Sequence, residues 1–333
     1  MGRHGARPAN QDPGVAAVKL GYFLSSEEHG PRELVRNARL ADQHGFEALW
    51  ISDHYHPWND EQGQSPFVWS TIGALSEAVT LPITTAVTCP TVRIHPAVIA
   101  QAAATAAVQC EGRFVLGVGS GEALNEHVLG DRWPSADVRL EMLEEAIGLI
   151  RALHKGDEVT HHGKHYTVEN ARIYTLPEQP VPIYVSAFGP KAVSLAARTG
   201  DGYMCVGPSG DLVEKYRSEG GRGPAQSGLK VCYARSQDDA VATAHRLWPN
   251  DGLPGELAQV LPTPRHFEQA SQLVTPEMIR DAIPCGPDPE PYAEKIKEFA
   301  EAGFDEVYVQ QIGPDQQEFF EFWAKEVVPL IQD

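Results

Sequence analysis

The stretch VKLGYFLSSEEHGPRELVRNARLADQHGFEALWI, running from Val18 to Ile51, decides the fold class. Its opening residues, Val18 to Tyr22, read as a short strand. Pro31 suits the first turn of a helix, where its missing N–H has no partner to lose. The apolar residues Leu34, Val35, Ala38 and Ala41 then recur at helical spacing until Gly45 ends the run. Ala48 to Ile51 follows at once as a second strand, so strand, helix and strand succeed one another without a linker.

The same grammar repeats outward. An apolar helix over Val68 to Val79 precedes a strand over Ile83 to Val87, and an Ala-rich helix over Pro96 to Gln109 precedes a strand over Phe114 to Val118. A helix over Arg139 to His154, a strand over Ile183 to Val185, a helix over Lys191 to Thr199 and strands over Tyr203 to Val206 and Leu229 to Ala234 continue it. Helix Pro289 to Ala302, strand Glu306 to Val309 and an amphipathic helix over Phe319 to Ile331 close the chain. Eight short apolar strands separated by helices predict an α/β protein, a single (β/α)8 TIM barrel with loop insertions over residues 17–333. Residues 1–16, rich in Gly, Pro, Arg and Asn, read as a flexible tail. A doubly wound open sheet is the competing fold. Two interruptions, His161 to Tyr174 with hairpin-like alternation and the Gly/Pro/Ser-rich Pro208 to Ser227, read as insertions in barrel loops. Gly252 to Pro284 reads as a helical excursion near the mouth of the site.

With 333 residues, 42% of them hydrophobic, the chain can bury a large core. A net charge of -18 repels phosphate backbones and anionic lipid, which argues against non-specific nucleic-acid or membrane binding and for a small-molecule protein. Five widely spaced cysteines without a CxxC pair argue against a disulfide framework or a cysteine zinc site and imply a reducing cytoplasm. No HExxH, GxSxG or Walker loop occurs, and His161, His162 and His165 read as an exposed turn, so no metal is expected.

In a barrel of this kind the active site lies where the strands end, so the polar residues just after each strand are the candidates. The second strand is followed by Ser52-Asp53-His54-Tyr55-His56-Pro57-Trp58, in which His54 suits a general base because imidazole titrates near neutral pH. The fourth is followed by Gly119-Ser120-Gly121-Glu122-Ala123-Leu124-Asn125, whose glycines allow close approach of a planar or phosphorylated ligand beside Glu122 and Asn125. A Rossmann fingerprint would need a third glycine at Glu122, which argues against NAD. Ser186-Ala187-Phe188-Gly189 precedes a helix N-terminus, where free backbone N–H groups cradle phosphate.

Together these clusters resemble the bacterial luciferase-like superfamily, and within it the group of coenzyme F420-dependent glucose-6-phosphate dehydrogenases. The likeness rests on Leu20-Gly21-Tyr22 with Glu27, Ser52-Asp53-His54 through Pro57-Trp58, Pro90-Thr91 with Pro96 to Gln101, and Gly119 to Glu126, and it covers nearly the whole chain from Val18. The resemblance implies a deazaflavin oxidoreductase in which His54 takes the proton of a substrate hydroxyl, Glu122 protonates the ring, Trp58 stabilises the intermediate and Glu27 lies near the substrate hydroxyls. It implies cofactor contacts at Asp53, Ser120, Asn125 and Ser186, Ala187, Phe188 and Gly189, a bulge with a cis peptide at Ala86-Val87, and a homodimer. It also marks a departure: the three cations that the group places around a sugar phosphate fall at Ser209, Ala258 and Ala282 here. Arg265, His266 and Arg280 are the candidates to rebuild that anion pocket from shifted positions.

The expected reaction is hydride transfer from a sugar 6-phosphate hydroxyl to oxidised coenzyme F420. The alternatives are an F420-dependent alcohol dehydrogenase or an F420H2-dependent reductase acting on a non-phosphorylated substrate. A flavin monooxygenase is disfavoured by the Asp-His-x-x-Pro-Trp cluster, and a non-catalytic binding protein by the retention of both His54 and Glu122.

Overall fold

The computed structural model describes residues 18–332; the tail expected over residues 1–16 lies outside them. Eight parallel strands close into a barrel: β1 (Lys19–Leu24), β2 (Ala48–Ile51), β3 (Ile83–Thr85), β4 (Phe114–Val118), then β7 (Ile183–Ser186), β8 (Gly202–Val206), β9 (Ala225–Val231) and β10 (Glu306–Gln311). Between β4 and β7, β5 (Val159–His162) and β6 (Thr167–Ala171) form the antiparallel hairpin that the alternation predicts. Closure comes from β1, which pairs Tyr22 with Val309 of β10 on one side and with Leu49 of β2 on the other.

Two apolar layers result. The outer one packs strand residues such as Leu49, Ile51, Ile83 and Leu116 against helix residues such as Leu34, Ile72, Ile99 and Ile147. The inner one fills the barrel with Trp50, Tyr308, Met204 and Ala48, flanked by Phe23, Ala86, Val87 and Tyr184. Trp50 and Tyr308 stack with centroids 4.4 Å apart and planes 10° from parallel. Their polar ends are satisfied inside the barrel. Trp50 Nε1 donates to Gln226 Oε1 (3.0 Å), and Tyr308 and Gln226 both donate to Glu306 Oε2.

Three elements differ from the sequence reading. Strand β9 starts at Ala225 and ends at Val231, earlier than the apolar run Leu229 to Ala234 indicates, because Gln226 and Gly228 face Trp50 and carry no strand-like alternation. The stretch Pro208 to Ser227 is no insertion: it holds the barrel helix Gly210–Ser218, anchored by buried Val213 and Tyr216, and the start of β9. Helix Gln237–Leu247, capped by Ser236, is an element that the sequence reading missed. The long excursion exists and contains helices Leu257–Val260, Pro264–Ser271 and Pro276–Ala282, the last two capped by Thr263 and Thr275. The Ala86–Val87 peptide is cis. All five cysteines are buried and free. No helix among the described residues is long and apolar enough to cross a membrane.

Space inside the barrel makes a paired prediction. A Cβ on Gly117 would lie 1.9 Å from the Thr85 carbonyl oxygen, whereas Gly148 is exposed in helix Ala136–Leu153 with nothing within 4 Å of a Cβ. Gly117→Ala should lower the denaturant midpoint by a stability loss of about 3 kcal/mol or more, the upper range of overpacking. Gly148→Ala should raise stability by about 0.5–1 kcal/mol, the helix-propensity difference.

Candidate active site

The loops after β1, β2, β3 and β4 meet at one end of the barrel and are tied together by side chains. His54 Nε2 lies 3.5 Å from Glu27 Oε1, with both side chains at most 10% exposed. The other oxygen of Glu27 accepts hydrogen bonds from the Ser25 and Ser52 hydroxyls at 2.9 and 2.8 Å, which fixes the carboxylate toward the imidazole. His54 Nδ1 lies 3.2 Å from the carbonyl oxygen of His56, an atom that can only accept. The proton of a neutral His54 therefore belongs on Nδ1, and the lone pair on Nε2 is free to take a proton. The Trp58 ring lies 5.1 Å from His54 and is held from behind by the edge of Phe267, itself buried.

Asn125 positions this loop. Its Oδ1 accepts the backbone N–H groups of Tyr55 and His56 at 2.9 and 3.2 Å, while its buried Nδ2 has no partner among the described residues. Asp53 accepts at both oxygens, Oδ2 from Thr88 and Oδ1 from Arg93, at 2.7 and 3.0 Å. Arg93 also faces Glu126, whose carboxylate in turn accepts the backbone N–H groups of Val92 and Arg93. Burial raises the Glu126 carboxyl above its ordinary range, and the Arg93 N–H and guanidinium counter that. Sequence reasoning missed Arg93, because nothing in its local pattern shows that three loops converge on it.

Glu122 stands at the N-terminus of the short helix Ala123–Glu126, partly exposed and without a hydrogen bond from its side chain, and Ser120 is partly exposed beside it. Across the mouth, Ser186 ends β7. Ala187 is buried, donates its N–H to Met204 and accepts from the Tyr203 hydroxyl, Phe188 is 52% exposed, and Gly189 caps helix Pro190–Thr199. A Cβ on Gly119 would sit 2.7 Å from Val87 Cγ2, so Gly119 and the Ala86–Val87 segment lie against each other at the floor of the mouth. Arg265 and His266 lie on the helix whose Phe267 packs against Trp58, and Arg280 lies on the next helix of the excursion. All three are exposed, and on their helices it is Phe267 and Ile279 that turn inward. No group of three or more His, Cys, Asp or Glu among the described residues could hold a metal ion.

The wall between β1 and β10 holds a second carboxylate. Glu28 accepts from Trp248 Nε1 at 2.6 Å and from the Gly313 N–H at 2.7 Å. Burial pushes its carboxyl up to about 7 against the pull of those bonds, with Glu27 adding to the rise.

Comparison with known proteins places the chain among relatives of one family. A model of the luciferase-like monooxygenase family matches residues 15–306. The chain is 36% identical over 329 residues to an F420-dependent glucose-6-phosphate dehydrogenase of Microbacterium testaceum (strain StLB037), covering 95% of this chain and 98% of that protein. It is 35% identical over 333 residues to the protein so named in Rhodococcus erythropolis (strain PR4 / NBRC 100887), covering 95% and 98%. Among solved structures, an F420-dependent secondary alcohol dehydrogenase in complex with an F420-acetone adduct superposes with a TM-score of 0.86 at 30% identity, covering 95% of this chain and 99% of that one. The coenzyme F420-dependent tetrahydromethanopterin reductase of Methanopyrus kandleri, 21% identical with a TM-score of 0.75 over 94% and 99% of the two chains, shares the fold.

Removing Arg93 would leave the buried carboxylates of Asp53 and Glu126 without their cation. Arg93→Met should cost about 3–5 kcal/mol at pH 7.5, the scale for breaking a buried ion pair from one side. The loss should shrink at lower pH, because burial raises the Glu126 carboxyl so that it takes up a proton sooner than an ordinary carboxylate as pH falls. Denaturant titrations at pH 7.5 and at lower pH check both statements.

Proposed function

The chain belongs to the luciferase-like monooxygenase family, and we propose that it works as a coenzyme F420-dependent dehydrogenase that oxidises a hydroxyl of a sugar 6-phosphate. Its nearly full-length similarity to proteins named as F420-dependent glucose-6-phosphate dehydrogenases supports this reading. The observation in the molecule that carries it is the His54–Glu27 pair at the barrel mouth.

The residues fit a deazaflavin. Gly119 lies close against Val87 at the floor, Asn125 has an unpartnered amide, and the rings of Tyr55 and Phe188 are more than half exposed. Ser120, Asn125 Nδ2, Ala86, Val87 and the Ser186–Gly189 backbone would hold the cofactor, which when bound supplies the hydride acceptor. Asp53 braces Arg93 and Thr88 and keeps a further lone pair on each oxygen for a ligand.

His54 takes the proton of the substrate hydroxyl on Nε2, because Nδ1 is engaged with the His56 carbonyl. The imidazolium that forms faces the Glu27 carboxylate at 3.5 Å, so the charge arises beside a group of opposite sign whose orientation two serines have already set. Trp58 walls the reacting carbon from solvent, with Phe267 fixing the plane of its indole. Glu122, without a bond from its own side chain, is free to move a proton at the cofactor side of the mouth.

Anaerobic loss of oxidised deazaflavin absorbance tests the reading, with glucose 6-phosphate, glucose and 2-propanol offered side by side. The phosphorylated sugar should bleach the cofactor fastest; bleaching by 2-propanol alone would move the assignment to the alcohol dehydrogenase reading. His54→Ala should bind the cofactor normally and lose hydride transfer by about two orders of magnitude or more, the scale of general-base catalysis. Glu27→Gln should keep binding and lose about tenfold or more in kcat. Wild-type turnover in His54→Ala would remove the imidazole from the mechanism.

A further inference from the structure

The side chains of β9 alternate, as strand residues do. Gln226 hydrogen-bonds Trp50 and Tyr308 inside the barrel, and a Cβ on Gly228 would meet the Trp50 ring at 3.2 Å. Lys230 is the next residue of this inward row, opposite Gln310 of β10 and nearest the C-terminal rim. Its ammonium lies 3.0 Å from Asp251 and 4.4 Å from the centre of the Trp248 ring, and the side chain is 22% exposed. Trp248 is held by Glu28, the residue after Glu27, and Asn59 and Gln62 of the Trp58 loop both bind the carbonyl of Leu247. The ammonium therefore stands on the same mouth as the His54–Glu27 pair, on the wall formed by the excursion after β9.

Two other cations near the mouth, Arg93 and Arg139, have most of their donors engaged, although Arg139 Nε is buried without a partner among the described residues. Arg93 is divided between Asp53 and Glu126 with 8% of its side chain exposed. Arg139 is buried over the Trp133 ring and donates to Pro134 and Gln259. An ammonium carries three donors. Asp251 takes up one side of Lys230 and the Trp248 face, which has no lone pair, another, so a donor remains for a ligand.

We propose that Lys230 is the residue that receives the phosphoryl group of the substrate and that Asp251 is the carboxylate it shares until the substrate arrives. The assignment rests on the sugar-phosphate reading above and moves its anion anchor from Arg265, His266 and Arg280 to the inner row of β9. A phosphate monoester carries close to two negative charges near neutral pH, about twice the charge of Asp251, and offers three acceptor oxygens, so it outcompetes the aspartate for the ammonium. Trp248 keeps the ammonium positioned during the exchange, because its indole is fixed by Glu28.

The two partners have opposite signs in a test. Deleting the cation weakens the phosphate, whereas deleting the competing carboxylate strengthens it; a pair that merely braces the fold would lose in both variants. Lys230→Met should lower the ratio of kcat/KM for glucose 6-phosphate over glucose by at least about tenfold, equal to about 1.4 kcal/mol of discrimination. Asp251→Asn should lower KM for glucose 6-phosphate, and Lys230→Arg should retain most of the ratio, which also covers the case in which the methionine variant fails to fold. An unchanged ratio in Lys230→Met, or a higher KM in Asp251→Asn, would overturn the proposal. Calorimetric titration with inorganic phosphate in the absence of cofactor separates this inference from the functional reading. Wild-type protein that binds phosphate through Lys230 yet oxidises no sugar phosphate leaves the anchor standing and removes the sugar-phosphate reading. Equal phosphate binding by wild type and Lys230→Met removes the anchor alone.

Discussion

A closed barrel of eight strands has to fill its own interior, and here the stacked rings of Trp50 and Tyr308 do so. Each ring removes on the order of 150–250 Å² from water, about 4–6 kcal/mol at about 25 cal/mol per Å², far more than any single hydrogen bond in the barrel contributes. The plug dictates residues elsewhere. A Cβ on Gly21 would lie 2.3 Å from the Tyr308 ring, so the neighbouring strand needs a glycine there. With the middle of the barrel occupied and its lower polar atoms satisfied by Gln226 and Glu306, ligand-binding groups are confined to the rim.

At the rim the strands all end in the same direction, so loops that are distant in sequence become neighbours, and loops need fasteners. Arg93 joins the loops after β2, β3 and β4, and Glu28 joins the loop after β1 to Trp248 and to Gly313 after β10. Both fasteners are ionisable groups held largely away from water. Replacing either whole polar cluster by well-packed apolar residues would change net stability little, whereas removing one partner strands the others, and each cluster makes one arrangement of the loops far better than the rest. That selectivity is what a site with a 3.5 Å base–carboxylate pair requires.

The strands Ala48–Ile51 and Phe114–Val118 and the helix Pro96–Gln109 have the bounds that their apolar patterns indicate, because each faces the apolar outer layer. The first half of strand β9 was illegible for the opposite reason. That half, Gln226-Ser227-Gly228, is polar and small because Gln226 and Gly228 fit Trp50, so it offers no apolar row by which a strand is read. The site divides in the same way. His54, Glu27 and Trp58 stand in motifs, whereas Arg93, Glu28 and Lys230 acquire their meaning from partners 33 to 285 residues away along the chain or from one facing loop, which no local pattern records. Arg265, His266 and Arg280 show the converse: their composition suits an anion pocket, but the helical phase that buries Phe267 and Ile279 turns them to solvent.

The orientation of the base can be followed as a chain of atoms. Asn125, after β4, accepts the N–H groups of Tyr55 and His56 and so sets the turn after β2. His56 is fixed a second time by its ring, whose Nδ1 lies 3.0 Å from the Leu124 carbonyl. The His56 carbonyl is thereby aimed at Nδ1 of His54, and the tautomer of His54 follows from the fact that a carbonyl cannot donate. Asn125 consequently acts on the chemistry at a distance, through two backbone bonds and a ring proton, even where its amide also meets a ligand. A base prepared in this way needs no rearrangement before it accepts a proton, and the carboxylate of Glu27 is already in place for the charge that results.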